Sequence, residues 1–370
     1  MSTPLHGLKV IELARILAGP WIGQTLADLG ADVLKIESPE GDDTRKWGPP
    51  FIERAGDKTA AYFHAANRGK DSIALDFRDE GDRAKLLDLI RDADVLIENF
   101  KVGGLKKFGL DYDSVKQINP RLVYASVTGF GQDGPYAHRA GYDFLIQGMS
   151  GIMDLTGDPE GEPQKIGVAF ADIFTGLYGV IGIQAALAER ERSGQGQHVD
   201  LSLLDCMTGV LANQAMNYLA SGTCPTRLGN AHPNIVPYQV FPVADGHIII
   251  ACGNDRQYAS LCEILGLPGL INDTRFMSNA DRVENRAALT ELLTSSCLEW
   301  TKTDLLASLE QYGVPGGPIN SVQEALNDPQ VQHREMQINP EGVPGLRTPI
   351  RFSRSELQLD KASAKRPVKS

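Results

Sequence analysis

Hydrophobic and polar positions along the first 130 residues switch repeatedly between the short apolar runs of strands and the three-to-four spacing of helices. Residues 8–13 form a short apolar strand and residues 14–20 a loop. Residues 21–29 have helical spacing with Gly30 as the stop, and residues 33–36 form the next strand. The pattern recurs with a strand at 72–77, then an amphipathic helix at 80–93 whose apolar stripe is Leu86, Leu87, Leu89 and Ile90. A strand at 95–97, a helix ending at 115–118 and a strand at 122–127 follow. Strands alternating with helices imply a parallel sheet covered on both faces, an α/β fold. Residues 39–70, rich in Gly, Asp and Arg, read as a long functional loop.

Beyond residue 144 the reading is mostly helical, interrupted by a short strand at 199–203. Residues 238–252 resemble a hairpin turning at Asp245-Gly246, followed by helices at 258–265, 286–298 and 303–312 and a turn at 313–318. The division predicted is a large Rossmann-like domain over 1–220, a linker over 221–237 dense in Pro, Gly, Asn and Thr, and a smaller α+β domain over 238–330. Residues 331–370 then return to the large domain, with a frayed basic tail from Lys361.

Composition narrows the possibilities. The 370 residues are 42% hydrophobic and 22% charged, which excludes disorder, and the net charge of −11 argues against nucleic acid and anionic membrane as partners. Five cysteines without a Cys-x-x-Cys indicate neither a zinc site nor a disulfide framework. The first residues lack the charged and apolar regions of a signal peptide, so a cytoplasmic location is expected. Residues 166–187 are apolar enough to cross a bilayer, but they contain Gly167, Gly176, Gly179 and Gly182, and no second such stretch exists. A glycine-rich helix buried among others fits better. It leaves Asp172 as a carboxylate in apolar surroundings, which requires an explanation.

The loop after the first strand, Ala14-Arg-Ile-Leu-Ala-Gly-Pro20, lacks Gly-x-Gly-x-x-Gly, so a dinucleotide cofactor has no support. Arg15, Arg45, Lys46, Arg68, Lys70, Arg78, Lys101, Lys106, Lys107 and Arg139 crowd the loops of this half, and together they would suit a polyphosphate ligand. His198, His232 and His247 have no metal-like spacing, and no serine- or cysteine-hydrolase signature occurs. Asp172 falls in the first turn of the long apolar helix. Two readings remain open for it: an N-capping aspartate, or a poorly solvated carboxylate able to attack an activated acyl group.

Ala18-Gly-Pro20, Leu29-Gly-Ala-Asp-Val-Leu-Lys-Ile-Glu37, Gly41-Asp-Asp-Thr-Arg45, Asn67-Arg-Gly-Lys-Asp-Ser-Ile73, Glu98-Asn-Phe100, Gly129-Phe-Gly-Gln132, Gly134-Pro135, Gly141-Tyr-Asp143 and Gly229-Asn-Ala-His-Pro233 occur in this order. With them the chain resembles, over almost its whole length, the class III (CaiB/BaiF-type) CoA-transferases, the group containing formyl-CoA transferase. Gly41-Asp-Asp-Thr-Arg-Lys-Trp-Gly-Pro-Pro-Phe51, Ile235-Val-Pro-Tyr-Gln239 and Gly253-Asn254 look most like the branch using dicarboxylic acids, such as succinyl-CoA–glutarate CoA-transferases.

The resemblance implies a Rossmann-like large domain with a small domain and an interlocked homodimer. It also implies transfer of CoA from an acyl-CoA to a carboxylic acid through an aspartyl mixed anhydride. Asp172 matches the nucleophile, and Leu17 and Ala18 match the wall of the acyl-carrying site. Leu75, Asp76, Phe77, Arg78, Asn99, Phe100, Lys101, Lys107, Arg139 and Tyr142 match positions that hold CoA. No metal, and no cofactor beyond CoA as substrate, is implied. For a dicarboxylate, Arg15, Arg45, Lys46 and Arg68 are the candidate cations for the second carboxylate. Leu17 stands where formyl-CoA transferase has glutamine, which puts formyl and oxalate specificity in doubt. The alternatives are an acyl-CoA racemase of the same superfold, which would carry a histidine at Tyr142, and a non-catalytic CoA-binding protein, which would lack Asp172. Family members usually continue past the Arg366-Pro367 region, so an end at Ser370 marks a short member or a shortened chain.

Overall fold

The computed structural model describes residues 3–367. In the large unit, β1 (Lys9–Glu12) leads into α1 (Ala18–Asp28) and β2 (Asp32–Glu37). A hairpin of β3 (Phe51–Arg54) and β4 (Asp57–Ala60) precedes α2 (Ala61–Asn67) and β5 (Asp71–Ala74). Next come α3 (Glu80–Arg91), β6 (Val95–Glu98), α4 (Tyr112–Val115), β7 (Val123–Thr128) and α5 (Asp143–Met149). The chain leaves this unit within α6 (Ile152–Leu155) and re-enters it for α7 (Phe170–Ser193), β8 (His198–Ser202) and α8 (Leu203–Gly209).

Six strands pair in the order β5-β2-β1-β6-β7-β8, all parallel. The strand order reverses between β1 and β6, where open sheets of this kind bind ligands beyond the carboxyl ends of their strands. Both faces are apolar, as the sequence predicts. Val10, Val33, Val95 and Val123 pack with Ile22, Leu26 and Ile183 on one side, while Ile11, Ile36 and Leu96 pack with Leu86 and Ile90 on the other.

Three local expectations are corrected. Helix α1 begins at Ala18 rather than residue 21, because Pro20, lacking an N–H, is accommodated in the first turn, where that donor has no partner. Residues 39–70 are not a loop throughout, since they contain the β3–β4 hairpin and α2. Their charges look solvated in sequence but are internal: Arg45, Arg68 and Lys70 are all buried. The tail is not frayed from Lys361 through the last described residues. Ala362 and Ser363 are buried, the Lys361 carbonyl accepts from Gly69 N–H, and Arg45 donates to the Ala364 carbonyl. Val368, read as part of that tail, lies outside the described residues.

Helix α7 is long and apolar enough to cross a membrane, and its glycine face packs on α1. A Cβ on Gly176 would lie 3.2 Å from the Ala18 carbonyl oxygen, and one on Gly179 would lie 2.3 Å from Ile22. The glycines therefore let α1 press against α7 close to the β1 loop.

The second unit comprises residues 153–164 and 212–328. It contains α9 (Ala212–Ser221), the antiparallel hairpin β9 (Tyr238–Val243) and β10 (Gly246–Ala251), α10 (Asp255–Ile264), α11 (Asn279–Glu284), α12 (Arg286–Cys297), α13 (Lys302–Gln311), β11 (Gly316–Pro318) and α14 (Val322–Asn327). Phe241, Ile248, Leu261, Leu289 and Leu305 form its core. The observed division differs from the predicted 1–220, 221–237 and 238–330. Arg227 bonds Asp154 and the Asp158 carbonyl, and Asn213 and Asn217 bond Asn234, so α9 and the supposed linker are integral to this unit.

Candidate active site

Buried cations anchor both ends of the loop after β1. Lys35 donates to the Ala14 carbonyl (2.7 Å) and Glu12 (3.0 Å); Lys70 donates to the Pro20 carbonyl (2.8 Å) and Glu12 (2.9 Å). Burial opposes the charge on Lys35, but Glu12, Asp42 and Glu37 outweigh it and raise its pKa. For Lys70 burial dominates despite Glu12, and its pKa falls to about 8. A Cβ on Gly23 would sit 1.8 Å from Glu12 Oε2, so α1 can pass this network only as glycine there.

Between the anchors Ile16 has φ 74°, a left-handed conformation that costs a β-branched residue on the order of 1–3 kcal/mol. The loop holds it in place. Arg15 N–H donates to Asn99 Oδ1 (3.0 Å), Asn99 Nδ2 donates back to the Arg15 carbonyl (2.6 Å), and the Leu17 carbonyl accepts from Trp21 N–H. Asn99 thus ties the β1 loop to the β6 loop across the point where the strand order reverses.

A cleft of about 470 Å³ opens there, with Asp172 in its lining. Leu17, Ala18, Asn99, Phe100 and Lys101 line it from the β1 and β6 loops, and Lys107, Arg139 and Tyr142 line it from later segments. Leu75, Asp76, Phe77 and Arg78 instead line an adjoining cleft of about 290 Å³. Arg15, Phe100 and Phe108 belong to both, so the two run together as one groove. The floor near Asp172 depends on a backbone contact between two sequence motifs. A Cβ on Gly129 would lie 2.5 Å from Gly141 Cα, and one on Gly141 would lie 2.4 Å from Gly129 Cα.

Asp172 occupies the first turn of α7 but does not cap it; the cap residue is Ala169. Asp143 takes the capping role, accepting Ala171 N–H at Oδ1 (2.8 Å), while its Oδ2 accepts from Gln147 Nε2 (2.8 Å). No hydrogen bond to Asp172 occurs among the described residues. Burial, aided by the Asp143 charge, pushes the Asp172 carboxyl up to about 7. A carboxylate with few hydrogen-bonding partners and a raised pKa is a more basic nucleophile than one in water.

The predicted cations separate into groups. Arg45 pairs with buried Glu37 and Arg68 with buried Asp28, so neither is free to meet a second carboxylate. Lys46 is exposed and lines neither cleft, whereas Arg15 lines both and pairs with exposed Asp43. Arg78 forms paired hydrogen bonds with Asp76. Lys101, Lys107 and Arg139 are in no ion pair among the described residues, and Arg139 stacks over Phe130 and Tyr136. Two contributors escaped the sequence reading. Asp143 stood in a quoted motif, but its capping of α7 is visible only in three dimensions. Tyr62 lies in the stretch read as loop; its phenol pKa is raised by burial and then by the charges of Asp172 and Asp143.

A model of CoA-transferase family III matches residues 5–365. A succinate–glutarate CoA-transferase of Agrobacterium fabrum is 55% identical over 98% of this chain and 92% of its own. An acetyl-CoA:oxalate CoA-transferase of Acetobacter aceti is 43% identical over 95% and 89%. The crystal structure of a CaiB/BaiF family protein from Brucella suis, 64% identical, superposes with a TM-score of 0.90 over 100% of this chain and 97% of that one.

Proposed function

The chain belongs to CoA-transferase family III, and from that premise we propose that it moves CoA from an acyl-CoA, such as succinyl-CoA, to a dicarboxylic acid through Asp172. The observation that carries this reading is a half-buried carboxylate with a pKa raised to about 7, set in a groove with Lys101, Lys107 and Arg139, which are in no ion pair among the described residues. The nucleotide end of CoA would occupy the cleft of Leu75–Arg78, with Lys101, Lys107 and Arg139 facing its phosphates along the groove.

An Asp172 oxygen attacks the thioester carbonyl, the C–S bond breaks, and CoA leaves as thiolate. The product is a mixed anhydride between Asp172 and the donor acyl group. The acceptor carboxylate attacks the Asp172 carbonyl and expels the donor acid, leaving a new anhydride. The thiolate then attacks the acceptor carbonyl, forming the product thioester and restoring Asp172. Every bond broken is matched by one formed, so the scheme needs no oxidant or reductant.

The succinate–glutarate and oxalate relatives support a diacid acceptor, and Arg15 in the groove offers a counter-charge for its second carboxylate. Exposed Leu177, Tyr178 and Ile181 of α7, with Phe144, Leu145 and Met149 of α5, support a homodimer that covers them. The test offers succinate, glutarate, malate, oxalate and formate with succinyl-CoA, reading CoA esters by mass spectrometry. Glutaryl- or malyl-CoA formation is the expected result. Transfer only to formate would reject the diacid reading, and α-deuterium exchange without transfer would point to a racemase.

A further inference from the structure

A further cleft of about 290 Å³ is lined by Glu98, Ser126, His198 and Tyr112 among others, and shares Lys101 with the groove that holds Asp172. Its centre is a chain of three polar side chains on three adjacent strands. Glu98 ends β6 and sits in register with Ser126 of β7. His198 begins β8, and its Nε2 is 2.9 Å from Ser126 Oγ. The Ser126 hydroxyl also bonds Glu98. Glu98 is 5% exposed, and its Oε2 accepts the Phe100 N–H at 2.7 Å. His198 is held by stacking on Tyr112 (5.1 Å) and by the edge of Tyr124 (5.5 Å).

We propose that Glu98 is a positioning residue for acyl-CoA binding: by accepting the Phe100 N–H it fixes the turn that presents Asn99, Phe100 and Lys101 to the CoA groove. This rests on the proposed function. The next residue, Asn99, makes the two hydrogen bonds that hold the Arg15 backbone, so the same turn also orients the strained loop at Ile16. Glu98 has no cation paired with it among the described residues. Burial lifts its carboxyl to about 7, against the hydrogen bonds from Ser126 and Phe100, and Asp200 adds to the rise. In its ionised form a buried carboxylate without a counter-charge costs stability. Its value lies in geometry: one oxygen aimed at Phe100 N–H, with the other side of the carboxyl oriented through Ser126 by His198.

The test compares Glu98→Ala with Glu98→Gln, whose amide oxygen can still accept from Phe100 and whose NH₂ can donate to Ser126. Glu98→Ala should raise KM for acyl-CoA about tenfold, the effect of one lost hydrogen bond of about 1.4 kcal/mol. Glu98→Gln should restore KM to within about twofold. If Glu98→Ala does not fold, Ser126→Ala should still raise KM for acyl-CoA roughly threefold in a folded protein. An unchanged KM in folded Glu98→Ala, an unchanged KM in Ser126→Ala, or a Glu98→Gln as impaired as Glu98→Ala would each overturn the proposal. CoA binding is read in parallel by calorimetry. Wild-type protein that binds no CoA would overturn the proposed function itself, whereas equal binding by wild type and Glu98→Ala would overturn only the role of Glu98.

Discussion

Asp172 combines two demands that pull its pKa in opposite senses: it must be ionised to attack, yet burial favours its acid form. With its carboxyl raised to about 7, kcat/KM for acyl-CoA should fall tenfold per pH unit below that value. Asp143→Asn keeps an oxygen for the Ala171 N–H but removes the neighbouring charge. The acid limb should then move to lower pH, with burial, the larger cause, still holding it above the ordinary carboxylate value. Stability carries the same signature with a definite sign. Between an unfolded value near 4 and about 7 the native protein binds the extra proton, so this group's contribution declines as pH rises through that window and stays low above it. Asp172→Asn should abolish transfer and, at pH 8, stabilise the fold by on the order of 2–4 kcal/mol, a gain that vanishes near pH 4 in thermal melts. A higher Tm for the variant at pH 4 than at pH 8, relative to wild type, would contradict this. The importance of Asp172 was legible in the sequence because a single charge interrupts an apolar run. Tyr62 was not, because nothing near it in the chain marks proximity to a residue over a hundred positions away.

Elements impose their own constraints on the site, and glycine is the residue that records them. Gly176 faces Trp21, at 2.9 Å to Cδ1 and 3.1 Å to Cβ, and the Ala18 carbonyl at 3.2 Å, while Gly182 faces only the Val199 side chain at 3.0 Å. Gly176→Ala should therefore destabilise by about 1–3 kcal/mol and lower kcat, because it pushes the start of α1 and the Ile16 loop away from Asp172. Gly182→Ala should cost less and leave kcat intact, since a valine can turn aside. Equal loss of kcat in the two variants would remove the distinction. The alternation of strands and helices through residue 128 was legible because both sheet faces are buried and leave continuous apolar runs. The segment 39–70 was not. Its hairpin and helix are organised around Arg45–Glu37 and Lys70–Glu12, and those partners lie in other elements, so a local pattern reads the charges as solvent-facing.

At the scale of the whole molecule, the unit boundaries and the pinned tail depend on hydrogen bonds between distant residues, such as Arg45 with the Ala364 carbonyl. No local composition shift encodes such a partner, whereas the excess of acidic residues is read directly from the sequence. A chain of net charge −11 should repel a polyphosphate, so binding of CoA must be won locally. Lys101, Lys107 and Arg139 line the groove outside any ion pair among the described residues, while Arg78 is already occupied by Asp76. Two consequences follow from that asymmetry. Lys107→Ala and Arg139→Ala should raise KM for acyl-CoA more than Arg78→Ala does, with kcat little changed, as expected for lost ground-state binding. In the wild type, KM for acyl-CoA should climb between 0.05 and 0.5 M KCl, both quantities chosen to span screening lengths from above to below about 10 Å. The Lys107→Ala, Arg139→Ala double variant should show a shallower salt slope, because the charges being screened are gone. A slope unchanged by the double variant would mean that the salt acts on the acidic surface as a whole and that these two cations do not meet the phosphates.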